Sequence, residues 1–90
     1  MNQAATITLT GSEPAWETGV VKFFDPIRRW GFIISDREII GWTDVFLPWL
    51  TLRECGIREV TMKQGTRVRF RWRPPQQQGK RPECYQIKLG

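Results

Sequence analysis

The alternation of apolar and polar positions along the 90-residue chain predicts a succession of short strands. No stretch holds apolar residues at i, i+3, i+4 and i+7 over three turns, the spacing of an amphipathic helix. Residues 18–24 are rich in β-branched and aromatic side chains and stop at Asp25-Pro26, a turn signal. A second strand over 30–34 is closed by the polar run Ser35-Asp36-Arg37-Glu38. A third over 43–47 is closed by Pro48, which has no N–H to give to a ladder. The clearest strand is 67–73, where four arginines alternate with Val68, Phe70 and Trp72. That period of two gives one apolar face and one guanidinium face. Pro74, Pro75 and Gly79 then mark a loop before a last strand over 83–89, in which Cys84 is expected to face away from Tyr85, Ile87 and Leu89. Residues 49–55 suit one or two helical turns, with Gly56 as the left-handed residue that ends them.

Residues 1–15 lack any such periodicity and are expected to be a flexible N-terminal tail ahead of a single domain over 16–90. Five short strands without a helix long enough for a parallel crossover imply an all-β protein. The expected fold is a five-stranded antiparallel Greek-key barrel, which removes exposed strand edges in a small chain.

The same alternation decides which rings lie outside. If Ile33 points into the core, then Trp30 and Phe32 stand on the outer surface beside Arg28 and Arg29. Gly31 then falls where a tightly curled strand has no room for a side chain. Phe46, between Val45 and Leu47, points outward by the same reasoning, and Trp49 follows closely. One of Phe23 and Phe24 must also leave the core, because Val21 and Phe23 alternate with Lys22 and Phe24. So many rings cannot all fit inside a small barrel with Val20, Val21, Ile33, Val45, Leu47, Val68, Phe70 and Trp72. Surplus rings interleaved with arginine describe a platform for stacking unpaired bases.

Composition and charge sharpen this picture. Five Trp, five Phe and one Tyr are accompanied by no His at all. Imidazole-based nucleophile activation, acid–base chemistry and metal ligation are thereby excluded. Two Cys cannot complete a four-thiolate site, so neither metal nor cofactor is expected. An enzyme would have to rely on Asp, Glu, Lys or Cys, and no base partner can be named for Cys55. Fourteen Lys and Arg against nine Asp and Glu give a net charge of +5. Glu13 and Glu17 are the only charges in residues 1–18, so the remainder carries +7. Residues 60–82 hold no acid but include Lys63, Arg67, Arg69, Arg71, Arg73, Lys80 and Arg81. A run of that kind is the footprint of a polyanion partner. Residues 1–10 carry no apolar block, no segment is long enough to span a membrane, and Cys55 and Cys84 read as free thiols. A cytoplasmic location without a membrane partner follows as the expectation.

Three blocks resemble the cold-shock domain family, whose pattern is G-x-V-K-W-F-N, then K-G-[FY]-G-[FY]-I, then D-V-F-V-H-F. Here they read Gly19-Val-Val-Lys-Phe-Phe-Asp25, Arg28-Arg-Trp-Gly-Phe-Ile33 and Asp44-Val-Phe-Leu-Pro-Trp49. Lys63-Gln-Gly-Thr-Arg-Val-Arg-Phe70 is similar to the family's fourth strand. The likeness spans residues 17–90. Arg29 stands where the family has its first glycine, Pro48 where it has histidine, and Ile57 where it often has a loop aromatic. The resemblance implies an oligonucleotide-binding (OB) barrel that binds single-stranded RNA or DNA and loosens RNA secondary structure. It places stacking rings at Phe23, Trp30, Phe32, Phe46 and Trp49, with Lys22 and Asp25 as polar neighbours.

The expected nucleic-acid site therefore comprises Lys22, Phe23, Phe24, Asp25, Arg28, Arg29, Trp30, Phe32, Phe46, Pro48 and Trp49, joined by Arg69 and Arg71 from the fourth strand. The RNA-recognition motif also carries an octamer resembling residues 29–34. It requires two helices and the opposite motif order, so it does not fit. A reading from another class is a barrel that binds protein through Trp16, Trp42 and Trp49, since aromatic and Arg enrichment also marks protein interfaces.

Overall fold

The computed structural model describes residues 15–90, so apart from Ala15 the expected tail lies outside the described residues. Five strands form: β1 (Glu17–Asp25), β2 (Trp30–Ile39), β3 (Trp42–Pro48), β4 (Arg67–Arg73) and β5 (Glu83–Leu89). A short helix, α1 (Trp49–Glu54), and a 3-10 turn at Glu59–Thr61 lie between β3 and β4. The strands close into a barrel in the order β1-β2-β3-β5-β4, with β4 returning to β1 from Glu17↔Phe70 to Val20↔Arg67. An all-β, five-stranded barrel is what the alternation predicts.

The expected all-antiparallel sheet is corrected at one seam. β3 and β5 run parallel, meeting at Phe46↔Glu83. The reason is arithmetic: strand directions cannot alternate all the way around a ring with an odd number of members. The seam is narrow, and the Phe46 N–H donates across it to the Pro82 carbonyl at 2.9 Å.

The second strand does not end at Ser35. β2 continues through the polar run to Ile39, which is fully buried. A two-residue turn at Ile40 (φ 44°) and Gly41 (φ 87°) then leads into β3. Both residues take positive φ, the conformation that matches the twist of a tight hairpin. Charged residues extend the strand because Asp36 and Arg37 find partners on other strands. Asp36 accepts from the Thr18 hydroxyl at 2.6 Å and from Arg67 Nη1 at 2.9 and 3.1 Å. Arg37 forms an ion pair with Glu17, which raises the guanidinium pKa, chiefly through that hydrogen bond.

Two bulges also alter the alternation. The register of β1 against β2 shifts between Val21 and Phe23, so Lys22 and Phe23 are both exposed while Phe24 turns half-buried against the core. On β5, Arg71 pairs with Gln86 but Trp72 with Cys84, leaving Tyr85 as the extra residue. Cys84 and Ile87 therefore both enter the core, against the expected opposition of the two, and Leu89 is exposed. Val20 and Trp72, expected inside, are half-buried. A bulge is invisible to a strict period of two, which explains the departures around Lys22 and Tyr85. Val20, by contrast, precedes the β1 bulge and faces outward by regular alternation with the buried Gly19 and Val21.

The core is filled by Val21, Ile33, Val45, Leu47, Val68 and Phe70, each at most 1% exposed, together with neighbours from the other elements. α1 closes part of the barrel: Leu52 is buried, and the buried Thr51 hydroxyl donates to the Cys84 carbonyl at 2.8 Å. Gly56 ends it at φ 71°, as its sequence position predicts. Among the described residues, no helix is long and apolar enough to cross a membrane.

Candidate nucleic-acid interface

The site is built on the approach of β1 to β2. Gly31 lies under β1 so closely that a Cβ there would sit 2.7 Å from the Phe24 Cα and closer still to the Phe23 carbonyl oxygen. This tight contact aligns two cross-strand rows. Phe23 pairs with Phe32 and Phe32 with Phe46, while Asp25 pairs with Trp30 and Trp30 with Pro48. Ile33, Val45 and Leu47 point inward, so the alternating Trp30, Phe32 and Phe46 point outward.

The four rings form one contiguous surface. Phe32 is central, with its centroid 5.6 Å from Phe23, 5.6 Å from Trp30 and 5.9 Å from Phe46. Phe23 and Trp30 are 6.1 Å apart, and Trp30 and Phe46 6.3 Å. The contacts are tilted or edge-on, the arrangement favoured by ring quadrupoles. Phe23 keeps 39% of its surface exposed, while Trp30, Phe32 and Phe46 are half-buried.

Over this surface lies the loop that joins β4 to β5. Pro75, Gln76, Gln77, Lys80 and Arg81, with Glu83 at the start of β5, wall a groove of about 460 Å³ whose floor is Trp30, Phe32 and Phe46. The Arg81 guanidinium carbon stands 4.9 Å over the Phe32 ring and 4.8 Å over Trp42. In the sequence Arg81 is only one base of the acid-free run 60–82. Its place depends on the parallel β3–β5 seam, a long-range pairing that no local pattern announces.

The remaining expected residues divide. Arg28 and Arg29 occupy the β1–β2 turn beside Trp30. Arg29 takes φ 68° and its carbonyl accepts the Trp49 N–H at 2.9 Å, tying the turn to the start of α1. Its guanidinium stands 4.6 Å over the Trp49 ring, and that of Arg53 5.5 Å. Trp49 is thus placed at the rim of the surface among cations. Pro48 lies opposite Trp30 at the edge of the platform. Lys22 reaches the carboxylate of Asp44 at 3.2 Å, an exposed ion pair that a phosphate can compete with. Asp25 serves the turn itself, its Oδ1 accepting from the backbone N–H of Ile27 at 2.9 Å and of Arg28 at 3.2 Å.

Three expected residues are placed away from the four rings. Phe24 packs against the core and faces a second groove with Lys22, Met62 and Lys63. Arg69 and Arg71 stand on the outer wall of β4. Arg69 pairs with Thr18 and Lys88, while Arg71 donates to the Gln86 side chain at 2.9 Å and stands 4.3 Å over Trp16. Lys88 approaches the same Trp16 ring at 4.1 Å. Flanking them, Arg67 binds Asp36 and Arg73 binds Glu83 at 2.8 Å. The arginine stripe is therefore a second basic face rather than a continuation of the platform.

Among the described residues, no three His, Cys, Asp or Glu stand close enough to hold a metal ion. No family model and no curated protein matches the chain.

Proposed function

We propose that this chain is a single-stranded nucleic-acid-binding protein built on an oligonucleotide-binding barrel of cold-shock type. The observation that carries the reading is the contiguous set of outward rings, Phe23, Trp30, Phe32 and Phe46, set beneath a basic loop. Bases stack on such rings at about 1–3 kcal/mol each and with little regard to sequence, because every base has a π-face. Lys22, Arg28, Arg29, Lys80 and Arg81 border the rings and supply contacts to phosphate. A duplex hides its base faces, so the surface favours unpaired strands and would pull RNA toward its unfolded form. A role as an RNA chaperone, or as a regulator of transcription or translation in the cytoplasm, fits that chemistry. Neither a cofactor nor a catalytic group is required.

Titrating the protein's tryptophan fluorescence with oligothymidylate, and with a duplex of equal length, at two salt concentrations tests the reading. Single strands should quench the signal at lower concentration than duplex. If about four phosphates are neutralised, log K should fall against log salt with a slope of about −3. Absence of quenching by the single strand would overturn the proposal. Binding that ignores salt would favour an apolar protein interface centred on Trp42 and Trp49 instead.

A further inference from the structure

The long β2–β3 hairpin carries a fifth ring toward the platform. β3 points Val45 and Leu47 into the core, so Trp42, Asp44, Phe46 and Pro48 share its outer face. Trp42 is half-buried and lies on the face that presents Phe46, near the far end of the hairpin. It is held there before any ligand arrives. The fully buried Ile39 is its cross-strand neighbour, and Asp36 and Arg37 tie the hairpin to β1 and β4 through Thr18, Glu17 and Arg67.

Arg81 spans the gap between this ring and the platform. Its guanidinium carbon is nearly equidistant from Phe32 and Trp42, at 4.9 and 4.8 Å. The chain beside it is fixed by the bond from the Phe46 N–H to the Pro82 carbonyl. A cation over an exposed ring gains only about 0.5–1 kcal/mol, less than the same ring gains from a stacked base. A guanidinium released from Trp42 has a stronger alternative in the charge-assisted bonds it makes to phosphate.

We infer that Trp42 and Arg81 form an additional nucleotide subsite, beyond the four-ring platform, in which a base stacks on Trp42 and its phosphate engages Arg81. The inference rests on the nucleic-acid reading above and extends it by one nucleotide in a defined direction, from Phe32 toward the hairpin. The ring belongs to the part of the hairpin that continues past Ile34.

Fluorescence anisotropy with 5′-labelled oligothymidylates of increasing length distinguishes the subsite from the platform. Wild-type affinity should rise with length to a plateau. Trp42→Leu should reach its plateau one nucleotide earlier and bind the longest oligomer about tenfold more weakly, with the shortest oligomers bound as in wild type. Trp42→Phe should restore most of the loss, and Arg81→Ala should lower the salt slope by about 0.7, the share of one phosphate on a single strand. Unchanged affinity at short lengths also serves as the control for folding. If Trp42→Leu matches wild type at every length while Phe32→Ala is weakened, the subsite is refuted and the platform stands. If the wild-type protein binds no oligomer, both fall.

Discussion

Replacing Gly31 by alanine should destabilise the protein far more than a single methyl group ordinarily does. The added Cβ would lie 2.7 Å from the Phe24 Cα and 3.0 Å from the Phe23 carbonyl carbon, with the Phe23 oxygen nearer still. All three are backbone atoms of β1, so no side chain can swing aside. Relief requires the two strands to part where the rows Phe23–Phe32–Phe46 and Asp25–Trp30–Pro48 are registered. Overpacking costs typically about 1–3 kcal/mol, and a backbone-to-backbone clash belongs at or above the top of that range. A domain of this size has roughly 5–10 kcal/mol of stability in total. A loss of about 3 kcal/mol therefore lowers Tm by roughly 15 °C. Thermal melting followed by circular dichroism measures it. Gly41→Ala is the comparison, because that site has open space around it and differs only in its φ of 87°, a conformation costing an alanine about 1–2 kcal/mol. If Gly31→Ala melts within a few degrees of wild type, or above Gly41→Ala, the close approach of β1 and β2 does not set the platform.

Other consequences can be checked in the same way. Ile40 is a β-branched residue held at φ 44° and is 55% exposed, so Ile40→Asn should raise stability by about 1 kcal/mol in urea denaturation. The Thr18 hydroxyl and the Arg67 guanidinium hold the Asp36 carboxyl below its ordinary value of 3.8. A carboxyl lowered in the folded state favours folding at pH values above its ordinary range and loses that contribution as pH falls through the lowered value. Asp36→Asn should accordingly flatten the acid side of the Tm-versus-pH curve, and an unchanged curve would remove this network from the account. Burial pushes the Cys84 thiol well above its usual pKa, so Cys84 should resist a thiol reagent at neutral pH in the native protein and react once urea unfolds it.

How far the sequence already showed this architecture depends on the range of the interactions involved. Strict alternation in Arg67–Arg73 and around Ile33 and Val45 marks an inside and an outside, and it places Trp30, Phe32 and Phe46 on the surface without reference to any other strand. Gly31 is legible for the same reason. What escapes is set by pairing between distant segments. The polar residues 35–38 look like a strand end until Thr18 and Arg67 are seen to satisfy Asp36, and Glu17 to satisfy Arg37. Lys22 and Tyr85 break the period because bulges insert one residue that local propensity does not reveal. Arg81 becomes part of the candidate site only through the β3–β5 seam, whose partners lie far apart in the chain. Trp42, on the long 34–43 connection, is by contrast already legible in the sequence as a ring that extends the platform or packs on a partner. Arg69 and Arg71 show the converse. Their charge is plain in the sequence, but strand order puts them on another wall of the barrel.

Whether the rings carry nucleic-acid binding is tested most directly by the dissociation constant of wild type and Phe32→Ala for one labelled oligothymidylate at low salt. Phe32 touches Phe23, Trp30 and Phe46 and lies beneath Arg81, so its removal takes away the centre of the stacking surface while leaving every charge in place. Loss of about 1–3 kcal/mol, roughly 5- to 150-fold in affinity, with the salt slope unchanged and the barrel still folded by circular dichroism, is the predicted result. Equal affinity of the two proteins would contradict it.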